Sequence, residues 1–94
     1  MIVEWTPHAE AARLHAIQFI AGRNPAAAVE LMHEVIERTS SLAEFPGLGR
    51  PGFHPGTREL LVRRNYLVVY RLRAERVEIL QFWHARQRRK PPSS

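Results

Sequence analysis

Residues 46–57 read Pro-Gly-Leu-Gly-Arg-Pro-Gly-Phe-His-Pro-Gly-Thr, and this stretch divides the chain into a helical half and a strand half. It holds three of the seven prolines and four of the five glycines. That density marks an exposed, turn-rich loop and predicts no regular structure within it. A phosphate cradle built on Gly47, Gly49, Gly52 and Gly56 would require a following helix, and the sequence offers none, so a structural turn is the simpler reading.

Upstream of the loop, Ala28, Leu31, Met32, Val35, Ile36 and Leu42 recur at the i, i+3, i+4 spacing of an amphipathic helix. Glu30, Glu34, Glu37 and Arg38 occupy its other side. Asn24 is a favoured cap, and Pro25 fits a first helical position. A preceding helix is predicted from Pro7, after the cap Thr6, to about Gly22. Leu14, Ile17 and Ala21, with Ala16 and Ile20 beside them, form its apolar side. Only two or three residues join the helices, so they should form an antiparallel hairpin. The apolar, β-prone segment Ile2–Trp5 opens the chain as a strand.

Downstream, β-rich runs span about Arg58–Arg63, Tyr66–Arg73 and Val77–His84, joined by Arg64-Asn65 and by Ala74-Glu75-Arg76. The predicted fold is α+β, in the order β-α-α-β-β-β, with the helical hairpin packed on one face of a small, mainly antiparallel sheet. Residues 1–86 should form one domain, followed by a polar, flexible tail at 87–94. The last two strands are apolar at both parities: Leu67 and Val69 alternate with Val68 and Tyr70, and Val77 and Ile79 with Leu80 and Phe82. One sheet face belongs to the helices, so the other is expected to await a protein partner.

The chain has 94 residues and a mass of 10.9 kDa, which leaves little room for an enclosed cofactor pocket. No apolar run approaches the roughly 20 residues of a membrane-spanning helix. There are no cysteines, which excludes disulfides and thiolate chemistry. The amino terminus lacks a basic region leading into an apolar core, so a cytoplasmic address is expected, with no membrane contact. Charge is divided along the chain. Residues 1–47 carry three arginines against six glutamates, a balance of −3, and residues 48–94 carry eleven cations against three glutamates, a balance of +8. Thirteen of the fourteen cations are arginine, whose planar fork suits phosphate or carboxylate, so an anionic partner fits.

No phosphate-binding Gly-Lys motif, histidine pair at metal-ligand spacing or serine elbow is present; no cofactor and no metal are expected. What remains is a set of cations around the strands: Arg58, Arg63, Arg64, Arg71, Arg73, Arg86 and Arg88, with His84 closing the last strand. Imidazole beside guanidinium suits RNA cleavage, where one moves a proton and the other stabilises charge on phosphorus. The structural alternative makes His84 a packed strand-end residue and pairs Arg58 with Glu59 or Glu44. His8, His15, His33 and His54 read as surface or loop residues, and Trp5 and Trp83 as packing residues.

Taken in order, several segments carry a family resemblance. They are Val3-Glu4-Trp5-Thr6, Asn24-Pro25-Ala26-Ala27-Ala28, Leu42 to Gly52 (LAEFPGLGRPG), Gly56-Thr57-Arg58-Glu59-Leu60, Tyr66 to Arg71 (YLVVYR), and Val77 to Leu80 with His84-Ala85-Arg86-Gln87. Nearly the whole chain resembles the RelE/ParE superfamily of toxins from bacterial type II toxin-antitoxin systems. The Asn-Pro-Ala-Ala, Gly-Arg-Pro-Gly and Gly-Thr-Arg-Glu-Leu pieces look more like the ParE branch. The resemblance implies a plasmid-stabilisation toxin, neutralised by a cognate antitoxin whose acidic amphipathic segment wraps the hairpin and sheet. Operator DNA would be contacted only through that antitoxin. For the ParE branch the implied target is DNA gyrase, poisoned without catalysis by the toxin. For the RelE branch it is ribosome-bound mRNA, with Arg58 and His84 at positions that nucleases use. Arg63, Arg64, Arg71, Arg73, Arg86 and Arg88 are then candidates for partner or nucleic-acid contact. A plain nucleic-acid-binding module is a third reading of the basic half.

Overall fold

A computed structural model describes residues 1–84. The chain runs β1 (Ile2–Trp5), α1 (Pro7–Ala21), α2 (Pro25–Ser40), a 3-10 turn (Ser41–Ala43), β2 (Arg50–Pro51), β3 (Thr57–Val62), β4 (Tyr66–Arg73) and β5 (Arg76–His84). The strands form one sheet in the order β1-β5-β4-β3-β2, with β1 parallel to β5 and all other pairs antiparallel. This is the α+β arrangement expected, with one strand more. Residues 87–94, read above as a tail, lie outside the described residues.

Both helices begin where the capping residues place them. Thr6 Oγ1 accepts from the Ala9 amide at 3.3 Å while donating to the Ile79 carbonyl at 2.8 Å, so one hydroxyl starts α1 and fastens its start to β5. Asn24 Oδ1 accepts from the Ala27 amide and starts α2. The residues of α2 that reach the core are Ala28, Leu31, Val35 and Thr39, with Leu42 following in the 3-10 turn rather than in the helix itself. Met32 and Ile36, expected in that stripe, are 40% and 43% exposed; Leu14 of α1 is 49% exposed. The stripe is narrower than the sequence pattern because α2 meets the sheet along one line and α1 along another.

The loop does contain paired structure, contrary to expectation. Arg50 and Pro51 form a two-residue edge strand on β3, in register with Glu59 and Arg58. Proline is tolerated there because the edge position asks for no ladder donor from it. The hairpin turns also shift. Arg63–Asn65 make a three-residue turn, so β3 ends at Val62, and Ala74-Glu75 make a two-residue turn, so β5 starts at Arg76.

A β-bulge accounts for much of the double-sided apolar pattern. The β4–β5 register pairs Val69 with Gln81 but Tyr70 with Ile79, leaving Leu80 as the extra residue. Side-chain parity therefore changes within β5, and Val77, Ile79 and Phe82 all join the core beneath the helices, together with Leu60, Val62, Val68 and Tyr70. On the opposite face Leu67 and Val69 are nevertheless buried, set in register between Leu61 and Trp83 and between Glu59 and Gln81. The expectation that this face as a whole awaits a partner is thus corrected. The large apolar side chains left in water include Leu14, Phe19, Val29, Met32 and Ile36 on the helices, Leu61 and Leu72 on the strands, and Phe45, Leu48 and Phe53 around the loop.

Candidate partner-binding surfaces

The cations named from sequence fall into three places. Arg63 and Arg64 lie in the turn before β4, and Arg71 and Arg73 at its far end, roughly 23 Å along an eight-residue strand. Arg63 has φ +56° and turns its side chain to α2, with Nε 2.8 Å from Glu34 Oε1 and Nη2 3.8 Å from Glu30 Oε1. Arg64 is exposed. Arg71 Nε donates to Glu78 Oε1 at 2.7 Å, and Arg76 Nη1 to Glu4 Oε2 at 3.0 Å. The hydrogen bond from Arg71, together with the charges of Arg71, Arg73 and Arg76, holds the Glu78 carboxyl below its ordinary range. Arg86 and Arg88 lie outside the described residues.

Arg58 serves the loop. Its Nη1 donates to the Gly49 carbonyl at 2.7 Å and reaches the Gly47 carbonyl at 3.5 Å. The neighbouring Tyr70 hydroxyl, fully buried, donates to the Pro46 carbonyl and accepts from the Gly49 amide. A Cβ on Gly49 would stand 2.8 Å from both the Glu59 carbonyl oxygen and the Tyr70 ring, so this position admits only glycine without movement. His84 stands elsewhere. Arg58 pairs in register with Tyr70 and His84 with Tyr66, on strands either side of β4. Four residues along the strand and two strand spacings put Arg58 and His84 roughly 16 Å apart.

Residues 1–84 contain ten arginines and nine glutamates, a balance of +1. Arg13, Arg50, Arg63, Arg71 and Arg76 make ion pairs with glutamate. The chain's remaining +4 lies in Arg86, Arg88, Arg89 and Lys90. The basic character lies in the second half of the chain, as the sequence arithmetic placed it: residues 48–84 carry seven arginines against three glutamates, and the first half offsets them with a balance of −3.

Two grooves flank α1. One, of about 820 Å³, runs between α1 and the ends of β4 and β5; Phe19, Tyr66 and Phe82 give it an aromatic lining, His8, His15 and His84 are its polar side chains, and the β5 strand at Gln81 and Trp83 borders it. No carboxylate lines it. Tyr66 stacks on Phe82 at 5.4 Å and meets His84 edge-on at 5.3 Å, and burial pushes the Tyr66 phenol upward despite the nearby Arg63 charge. Phe82 in turn meets Trp5, whose ring carries the Arg13 guanidinium at 4.6 Å. The second groove, of about 480 Å³, lies between α1 and α2 on the side away from the sheet, lined by Arg13, Leu14, Ile17, Met32, His33, Ile36 and Glu37. Neither groove was legible as such. The signal lay in α1, whose apolar residues occur on all sides, a pattern that demands cover on more than one side. Among the described residues no group of three His, Cys, Asp or Glu side chains is placed to hold a metal ion, and no helix is long and apolar enough to cross a membrane.

A hairpin of two helices on a five-stranded sheet, with open apolar grooves beside its first helix, defines a small two-layer α+β domain. The family model described as "ParE toxin of type II toxin-antitoxin system, parDE" matches residues 3–89. A relative named "Putative toxin Y4kP", from Sinorhizobium fredii (strain NBRC 101917 / NGR234), is 37% identical over 87 residues, covering 90% of this chain and 88% of the relative. A solved structure described as "Chromosomal ParDE TA system from P. aeruginosa" superimposes with a TM-score of 0.79 at 24% identity, covering 89% of this chain and 95% of that one, and shares its fold. The chain belongs to the ParE toxin family of type II toxin-antitoxin systems.

Proposed function

We propose that this toxin acts in the cytoplasm by poisoning DNA gyrase without catalysis of its own, and that a cognate antitoxin restrains it by seating an acidic amphipathic segment in the groove between α1 and β5. One observation carries the choice of target. The Arg58 guanidinium is committed to the Gly47 and Gly49 carbonyls and stands far from His84, so among the described residues Arg58 and His84 do not pair, which supports a target other than RNA. Acid-free aromatic walls with histidines among them fit apolar side chains interleaved with carboxylates, which supports the antitoxin part of the reading.

The test mixes purified toxin with gyrase and relaxed plasmid, and in parallel with translating ribosomes. Loss of supercoiling with accumulation of broken DNA is the expected result. Codon-dependent mRNA cuts that vanish in His84→Ala would put the mRNA nuclease reading in its place. The same holds for Arg58→Ala only if the variant keeps the wild-type melting temperature, because Arg58 also braces the loop. Absence of growth arrest with steep salt-dependent nucleic-acid binding would favour the plain binding module.

A further inference from the structure

Two histidines that read from sequence as isolated surface residues are brought by the fold to the same groove as a third. His8, Ala12, His15 and Phe19 follow one another at intervals of four, three and four along α1, which puts them on one flank of the helix, in the lining of the groove beside β5. His84 lines the same groove from β5, edge-on to Tyr66. His8 and His15 are exposed and stand roughly 10 Å apart along the helix. Neither makes a hydrogen bond or ion pair among the described residues.

The charges around this groove leave it open to anions. Glu10, the one carboxylate of α1, lies on the opposite flank and is held by Arg13. Arg63, in the turn before β4, is engaged by Glu34 and Glu30 of α2, outside the groove. Glu78 sits near the start of β5, away from His84, and is held by Arg71. Burial pushes the Tyr66 phenol upward, so it stays neutral. Arg23 lies over the Phe19 ring at 4.9 Å and adds a permanent cation at the far end of α1. The variable part of the charge therefore belongs to the imidazoles, the side chains that gain a proton between about pH 8 and pH 5.

On the reading that this groove seats the antitoxin, we infer that His8, His15 and His84 are the residues that recognise the carboxylates of its acidic segment, and that they make its affinity rise as pH falls. A carboxylate beside an imidazole favours the protonated ring. The complex then holds more protons than the separated partners, and it tightens as protons become available. Carboxylates of the segment stay ionised down to about pH 5, so the effect operates across the neutral range.

Calorimetric titration of the full-length toxin with its purified cognate antitoxin at pH 8, 7 and 6 tests this. The dissociation constant should fall about tenfold from pH 8 to pH 6, with proton uptake visible as a dependence of the heat on the ionisation enthalpy of the buffer. His8→Gln with His15→Gln, both on the helix surface, should remove most of the pH dependence and most of the uptake, with circular dichroism confirming the fold. Groups on the antitoxin titrate alike against either toxin, so the difference isolates the histidines. His84→Gln, checked by melting temperature because its ring touches Tyr66, should remove the remainder. Ala11→Glu places a carboxylate one turn from both α1 histidines and should weaken binding at every pH. Affinity that is flat or falls with decreasing pH overturns the inference, as does a double variant that keeps the wild-type slope and uptake. If Ala11→Glu still weakens binding in that case, the groove remains the antitoxin's seat. If Ala11→Glu has no effect, the seat lies elsewhere and the inference falls with it.

Discussion

Tyr70 shows how one side chain can fix a loop. From sequence it reads as one more apolar residue in a strand, and its burial bears that out. Its second role was not legible, because its hydroxyl meets Pro46 and Gly49, more than twenty residues earlier in the chain. Tyr70→Phe would leave the buried Gly49 amide without its acceptor and should lower unfolding stability by about 1–3 kcal/mol, read as a reduced urea midpoint with unchanged slope. Arg58 belongs to the same bracing, which is why a residue chosen for phosphate chemistry is found bonded to backbone carbonyls. Glu78 illustrates the electrostatic counterpart. A glutamate whose folded pKa lies below its unfolded value adds stability that is fully present above the ordinary 4.5 and is lost as pH falls through the lowered folded value. Melting temperature followed from neutral pH down through the carboxylate range should therefore fall more steeply in the native protein than in Glu78→Gln.

Elements were legible where periodicity is local and uniform. The caps Thr6 and Asn24, the start of α2 and the full span of β4 follow from neighbouring residues alone. What escaped was set by pairing across the sheet. The bulge at Leu80 is invisible in an apolar run, and the two-residue strand at Arg50 exists only because β3 offers it an edge. Turn lengths shifted for a similar reason. Ala74 and Glu75 both adopt positive φ, at +49° and +62°, a combination that two-residue hairpins demand and that neither residue favours. Replacing them with Asn and Gly should stabilise the hairpin by about 0.5–1 kcal/mol, seen as a higher melting temperature with an unchanged circular dichroism spectrum.

At the scale of the molecule, the two layers follow from the sequence, whereas the uncovered apolar surface lies on both: Leu61 and Leu72 stay exposed on the strands, and larger patches lie on the helices. The outer sheet face closes over Leu67 and Val69, while α1 stays open on both flanks. The cause lies in side-chain size. Ala9, Ala12 and Ala16 carry α1 close to the sheet, so the bulkier Leu14 and Phe19 are left outside the contact. Charge lies in the half where counting placed it, but counting along the chain cannot see that Arg63, Arg71 and Arg76 each meet a glutamate brought close by folding. The position of the indoles has a practical consequence. The protein's two tryptophans stand on opposite faces of the sheet: Trp5 meets Phe82 on the helix face, whereas Trp83, in register with Leu67, lies on the outer face with its indole nitrogen donating to Gln81 Oε1. The toxin thus contains in Trp5 an unlabelled fluorophore beside the place where the restraining segment is expected to insert. Titration with a synthetic antitoxin peptide that fills the groove should change the emission of Trp5, which stands behind Phe82, and leave that of Trp83 on the far face unchanged, with Trp83→Phe assigning the signal.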